Sequence, residues 1–223
     1  MRTMSTRTTH SEVLEAAEHL PDEATLVIHG FAWDEYERLL ESRDTRRLRV
    51  SYDRGCLRIM AISPEHEHDA TAIEALIVAF CDEVDIVLET FGRATWRIEA
   101  LAKGVEADGC YYVENAQRII GKRDIHLPDD PPPDVVLEVD LTTDVRHKFP
   151  IYAALGMAEV WRYDGETIQF YRLRNGDYVE ISGSDVLPGL TRELLVETLN
   201  IGKTKGQTAA RRHLRQKMRS ANS

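Results

Sequence analysis

Hydrophobic and polar positions repeat with two different periods along this chain, and the period changes near Gly92. Before that point most of the pattern is helical. Residues 11–19 predict a short helix with Ser11 as its cap. Residues 24–29 (ATLVIH) predict a strand, and 32–42 a helix with Trp33, Tyr36, Leu39 and Leu40 on one face. Residues 47–62 read as a hairpin turning at Asp53-Arg54-Gly55. The clearest start signal follows: Ser63 can cap a helix and Pro64 suits its first position. That helix is predicted to run to about Thr90, with Ile73, Leu76, Ile77, Phe80, Val84 and Val87 as its apolar stripe.

Beyond Gly92 the alternation has period two. Residues 95–101 and 106–113 predict strands, a Pro- and Asp-rich loop (LPDDPPP) follows, and 134–141 (DVVLEVDL) predict a third strand. Residues 145–155 predict a helix closed by Gly156. Two strands within 159–172 turn at Gly165, and Asn175-Gly176 marks a hairpin turn before DYVEI. The LPGL loop at 187–190 leads to a helix at 191–199. This order implies an α/β domain on one central mixed β-sheet flanked by helices. Residues 1–23, the first ten reading as disordered, are a leader, 24–201 the domain and 202–223 a tail.

Composition adds an asymmetry. The 223 residues carry 28 Lys and Arg against 38 Asp and Glu, a net charge of −10, which argues against a uniformly basic nucleic-acid binder. Seven of those cations lie in 202–223 with no acid among them, leaving 21 cations against all 38 acids, about −17, in the rest. A basic tail thus follows an acidic body. Three widely spaced cysteines, Cys56, Cys81 and Cys110, form no disulfide framework and suit a reducing cytoplasm. Neither a secretory signal nor a membrane span is evident, and there is no P-loop, Rossmann glycine pattern or nucleophile elbow.

Residues 134–141 hold the most informative chemistry. Asp134, Val136, Glu138 and Asp140 share one strand face, with Glu138 and Asp140 about 7 Å apart; Val135, Leu137, Val139 and Leu141 form an apolar face. Acids so aligned repel one another without a compensating cation. A solvated polar face would explain such a pattern by itself. However, Glu106 and Asp108 also align on the neighbouring strand, and Arg146, His147 and Lys148 return toward the same strand end. Acids from two strands with a nearby lysine can hold Mg²⁺ and a polarised water.

The stretches GVEADGCYYV, then PPPDVVLEVDLTTDVRHKFPIYAALGMAEVWRYD, then LPGL resemble the Uma-type putative restriction endonuclease family, within the PD-(D/E)xK nuclease superfamily. The resemblance spans about residues 24–199 and is strongest from 104 to 164. It implies a restriction endonuclease-like fold and metal-dependent hydrolysis of DNA phosphodiester bonds. Laid onto matching positions, it makes Asp108 and Glu138 the metal-binding acids, joined by the main-chain carbonyl of Val139. Lys148 becomes the catalytic lysine, orienting the water and stabilising charge on phosphate. Asp134 matches the acid of the PPD motif, with Glu106 and Asp140 as supporting acids. Two positions depart from the superfamily pattern: Ala107 stands where proline is usual, and Asp140 where the basic pattern has lysine.

The PEHEHD segment at 64–69 adds Glu67 as a further metal-ligand candidate, since the superfamily often contributes an acid from its first core helix. His66 is in phase with Ile73 and Ile77, so it is expected on the core side. Helix N-termini also favour acids through the macrodipole alone, and a His-rich start is compatible with zinc. Pro150 separates two predictions for Lys148: a helix capped at Thr143 would put the proline in its interior, whereas one starting near Arg146 or His147 would hold it in the first turn. The expected cofactor is Mg²⁺ or Mn²⁺ and the expected partner double-stranded DNA, reached partly through the tail, with a homodimer suiting cleavage of both strands. The departures at Ala107 and Asp140 also support a catalytically inactive nuclease-fold DNA-binding or interaction module. A hydrolase of RNA or nucleotides is a third class.

Overall fold

The structure, a computed structural model, describes residues 8–42, 47–142 and 144–221. Helix α1 (His10–Glu18) begins one residue before the predicted start. Thr9, not Ser11, caps it, in a capping box with Glu12. Strand β1 (Thr25–His29), helix α2 (Trp33–Ser42) and the hairpin β2 (Leu48–Asp53) and β3 (Cys56–Ala61) follow the sequence pattern. Helix α3 (Pro64–Val84) starts as predicted, with the Ser63 hydroxyl accepting from the His66 amide. It stops short of Thr90 because Asp85 adopts φ 57° and Ile86 N–H turns back to the Cys81 carbonyl.

The remaining elements are β4 (Glu89–Thr90), β5 (Thr95–Ile98), β6 (Lys103–Glu106), β7 (Gly109–Tyr112), α4 (Ala116–Ile119), β8 (Val135–Val139), α5 (Phe149–Leu155), β9 (Glu159–Tyr163), β10 (Ile168–Arg174), β11 (Asp177–Ile181), α6 (Arg192–Lys205) and α7 (Gln207–Ala221). The strands divide between two sheets where the pattern suggested one. An antiparallel sheet has the order β1-β3-β2-β6-β5, and a mixed sheet the order β11-β10-β9-β8-β7-β4, with β8 and β9 parallel.

The segment predicted as one strand over 106–113 is where the chain crosses between sheets. β6 pairs with β2 and β5, whereas β7 pairs with β8 and β4. Asp108 sits in this crossing, its amide donating to the Leu137 carbonyl. Close packing also explains Gly104: a Cβ there would collide with the Tyr36 ring.

Each face of β8 is covered. Val135, Leu137 and Val139 pack with α3, α6 and α7, while Val136 packs with Ile151, Tyr152 and Leu155 of α5 and with Trp96 and Val105 of the first sheet. Burial on both faces explains why this strand is almost continuously apolar. A third cluster holds α1 and α2 on the outer face of the first sheet through Tyr36, Leu39, Val50, Tyr52 and Ile59.

The boundary drawn at 201 falls inside α6, and the basic segment continues as α7, which packs on α3 and α6. Leu214 and Ala210 are buried there. Several tail cations pair with body acids: Arg219 and Arg215 with Glu83, and Lys217 and His213 with Glu197. Residues 1–7 of the predicted leader, and the alternative cap Thr143, lie outside the described residues. Among the described residues no helix is long and apolar enough to cross a membrane. The three cysteines are free thiols.

Candidate functional site

The site forms where the sheet-crossing segment, β8, the start of α3 and the turn before α5 meet. Val145–Lys148 form a 3₁₀ turn that leads directly into α5, with Pro150 in the first turn of that helix. The proline therefore breaks no hydrogen bond, and Lys148 stands at the junction with its side chain turned inward. Its Nζ donates to Glu138 Oε2 at 2.7 Å, to Oε1 at 3.0 Å and to the Glu106 carbonyl at 3.2 Å. Tyr152, one turn along α5, donates its hydroxyl to Glu138 Oε1. The Glu138 side chain is fully buried and that of Lys148 5% exposed.

Asp108 is equally enclosed. Its Oδ1 accepts from Arg49 Nε at 2.7 Å, and its Oδ2 accepts from the Val139 amide at 2.9 Å. His66 Nε2 lies 2.9 Å from the same Oδ2, off the direction of a well-aligned hydrogen bond. His66 is thus on the core side, as its helical phase predicts, with Nδ1 3.8 Å from Glu23. Arg49 also donates from Nη2 to Glu67 Oε1 at 2.5 Å, where Arg93 Nη1 joins at 2.8 Å. One guanidinium therefore bridges two acids that the sequence marked as metal ligands.

These surroundings set the protonation preferences. Burial opposes the Asp108 charge, but His66, Arg49 and Lys148 outweigh it and hold this carboxyl far below its usual range. Burial disfavours the His66 cation, yet Asp108 and Glu23 shift the ring upward overall. Burial pushes the Glu138 carboxyl up to about 6 against the pull of Lys148, and the nearby Asp108 charge adds to the rise.

The other predicted acids turn elsewhere. Glu106 does not share a face with Asp108: its carboxylate accepts from the Val50 amide and the Thr95 hydroxyl inside the first sheet. Asp134 accepts from the amides of Val113 and Asn115 and from the Asn115 side chain, fixing the turn after β7. Asp140 pairs with Arg162 at 2.5 Å across β9. Val139 N–H faces Asp108, so in an extended strand its carbonyl is turned toward the same side.

The residues do not fit a divalent ion in this arrangement. Mg²⁺ needs carboxylate oxygens open to it at about 2.0–2.1 Å, whereas Asp108 and Glu138 are closed to solvent and each already holds a protein cation at 2.7 Å, Arg49 Nε on one and Lys148 Nζ on the other. Among the described residues no three His, Cys, Asp or Glu side chains gather as a metal-holding group, which also removes the zinc alternative at 64–69. Space lies at the periphery. A cleft of about 500 Å³ opens over Glu67, lined also by Arg47, Ser63, Pro64 and Arg93. A narrow gap between Arg49, Arg58, His147 and Lys148 holds only about 10 Å³.

Sequence reasoning missed Arg49, Arg93 and Tyr152. Tyr152 carried a signal, since it lies in the YAALGMAEVW part of the stretch that resembles the family, where Gly156, Glu159 and Trp161 also take structural roles. Gly156 ends α5 at φ 81°, and Glu159 accepts from Trp161 Nε1 at 2.9 Å. Arg49 carried none, since it reaches the site from a strand 59 residues before Asp108.

A mixed β-sheet with helices on its faces, crossed by an acid-bearing segment and followed by a buried lysine at a helix start, defines a PD-(D/E)xK-like nuclease fold. The family described as "Putative restriction endonuclease" (Uma2) matches residues 33–202, and the chain belongs to that family. A crystal structure described as a putative nuclease from Anabaena variabilis is similar at 17% identity and TM-score 0.48, covering 74% of this chain and 96% of that one. No curated protein matches the chain.

Proposed function

We propose that this chain is a nuclease-fold module that engages DNA, and that Asp108 and Glu138 serve it as buried, charge-neutralised members of the site, not as metal ligands. One observation carries this reading: every carboxylate oxygen of the two acids accepts from a protein donor, and both side chains are closed to solvent. The cations that could meet phosphate lie around them. Arg47 and Arg93 line the cleft over Glu67, Arg58 flanks Lys148, and Arg211 and Arg212 make no ion pair among the described residues. Phosphate contacts of this kind supply affinity without sequence preference. Free thiols suit a cytoplasmic protein, and a homodimer would present two such surfaces to one duplex.

A second reading, hydrolysis of DNA with Mg²⁺ or Mn²⁺, is favoured by the placement of Lys148 Nζ 2.7 Å from Glu138 Oε2. It requires the Arg49 guanidinium to leave Asp108. Fluorescence anisotropy with a short duplex at low salt, run beside a plasmid-nicking assay in Mg²⁺ and Mn²⁺, separates the two. Salt-sensitive binding without nicking is expected. Nicking that disappears in Glu138→Ala would replace the first reading with the second, and absence of binding would reject the module reading.

A further inference from the structure

The structure assigns to Arg49 the role of resident cation: its guanidinium stands where a divalent ion would have to meet Asp108 and Glu67, and so withholds Asp108 from metal. This builds on the reading of Asp108, Glu138 and Glu67 as one site, and concerns ion binding, not DNA.

Three observations converge. First, Arg49 takes Asp108 Oδ1 through Nε at 2.7 Å and Glu67 Oε1 through Nη2 at 2.5 Å, so a single planar group satisfies both acids at once. Second, the other Asp108 oxygen is not left open, because the Val139 amide and the His66 ring both lie 2.9 Å from it. Third, the charges already balance. Asp108, Glu138 and Glu67 face Arg49, Lys148 and Arg93, so these acids hold no surplus negative charge to attract a dication.

Arginine suits this position where lysine would not. Its fork spans two carboxylates, and it stays protonated at any physiological pH, so no change of pH within that range clears the site. Its side chain is 3% exposed. It arrives from β2, in the antiparallel sheet that packs beside the nuclease-like one. The first sheet thus supplies the cation that occupies an acid of the crossing segment, Asp108, and an acid of α3, Glu67.

The test is Mn²⁺ binding to the full chain without DNA, followed by electron paramagnetic resonance of the free ion. Mn²⁺ affinity should be the same within twofold in the wild type and in Asp108→Asn, since Asp108 is not offered to the ion. Arg49→Met should bind Mn²⁺ at least about tenfold more tightly, a gain of about 1.4 kcal/mol. The Arg49→Met/Asp108→Asn double variant should lose that gain. A tenfold weakening by Asp108→Asn alone would overturn the assignment, as would equal affinity in the wild type and a folded Arg49→Met. If Arg49→Met does not fold, the Asp108→Asn comparison decides. The ion is the only probe, so the outcome is independent of whether the protein binds DNA.

Discussion

Lys148 and Glu138 face each other across ten residues of sequence, with Nζ 2.7 Å from Oε2 and both side chains sealed from solvent. The pair makes stability depend on pH. The Glu138 carboxyl titrates at about 6 in the fold against 4.5 ordinarily, so between those values the native state holds a proton that the unfolded chain has lost. Stability should therefore fall as pH rises from 4.5 to 6, by about 2 kcal/mol, and level off above. Asp108 acts oppositely: its carboxyl is depressed, so its contribution is present above pH 3.8 and is lost below it. Urea unfolding at pH 4.5, 5.5 and 6.5 checks this. The wild type should lose stability over that range relative to Glu138→Gln, and parallel curves would refute the assignment.

Glu159 is a fully buried acid that joins β9 to the loop at 184–186. Its carboxylate accepts from Trp161, from the Ser184 hydroxyl and from the amides of Asp185 and Val186, tying the loop before α6 to β9. Removing it strands several buried donors, so Glu159→Ala should cost about 3–5 kcal/mol. Chemical denaturation measures this, and a cost below about 1 kcal/mol would show that the loop is held by other contacts.

The C-terminal helix is part of the core. Leu214 is fully buried beside α3, and Leu214→Ala should destabilise the protein by about 2–5 kcal/mol. A thermal melt indistinguishable from wild type would mean that α7 does not dock in solution.

Not all tail cations should contribute equally to DNA binding. Arg215 and Arg219 are engaged by Glu83, whereas Arg211 and Arg212 make no ion pair among the described residues. Replacing Arg211 and Arg212 together by Ala should weaken duplex binding and reduce the slope of log K against log salt by up to about 2. Replacing Arg215 and Arg219 should leave that slope nearly unchanged. The reverse ranking would show that the Glu83 pairs open on contact with DNA.

Much of this protein was legible in its residues, for local reasons. The Ser63-Pro64 start of α3, the Asn175-Gly176 turn and the Gly156 stop of α5 are determined by nearby backbone chemistry, as is the apolar run of β8. The same holds for the placement of Glu138, since strand periodicity dictates which face it occupies.

Tertiary structure alone decided the rest. Residues 106–113 look like one alternating strand, but packing breaks them at Ala107, so Glu106 and Asp108 serve different sheets. The basic tail looks like a separate appendage, yet its apolar positions find α3 and its cations find Glu83 and Glu197. Above all, the acids that resemble metal ligands are neutralised by Arg49 and Lys148, one of them from a strand far away in sequence. Periodicity reports which way a side chain points along its own element. It carries no information about the partner that another element brings to the same point, and at a buried carboxylate that partner sets the charge.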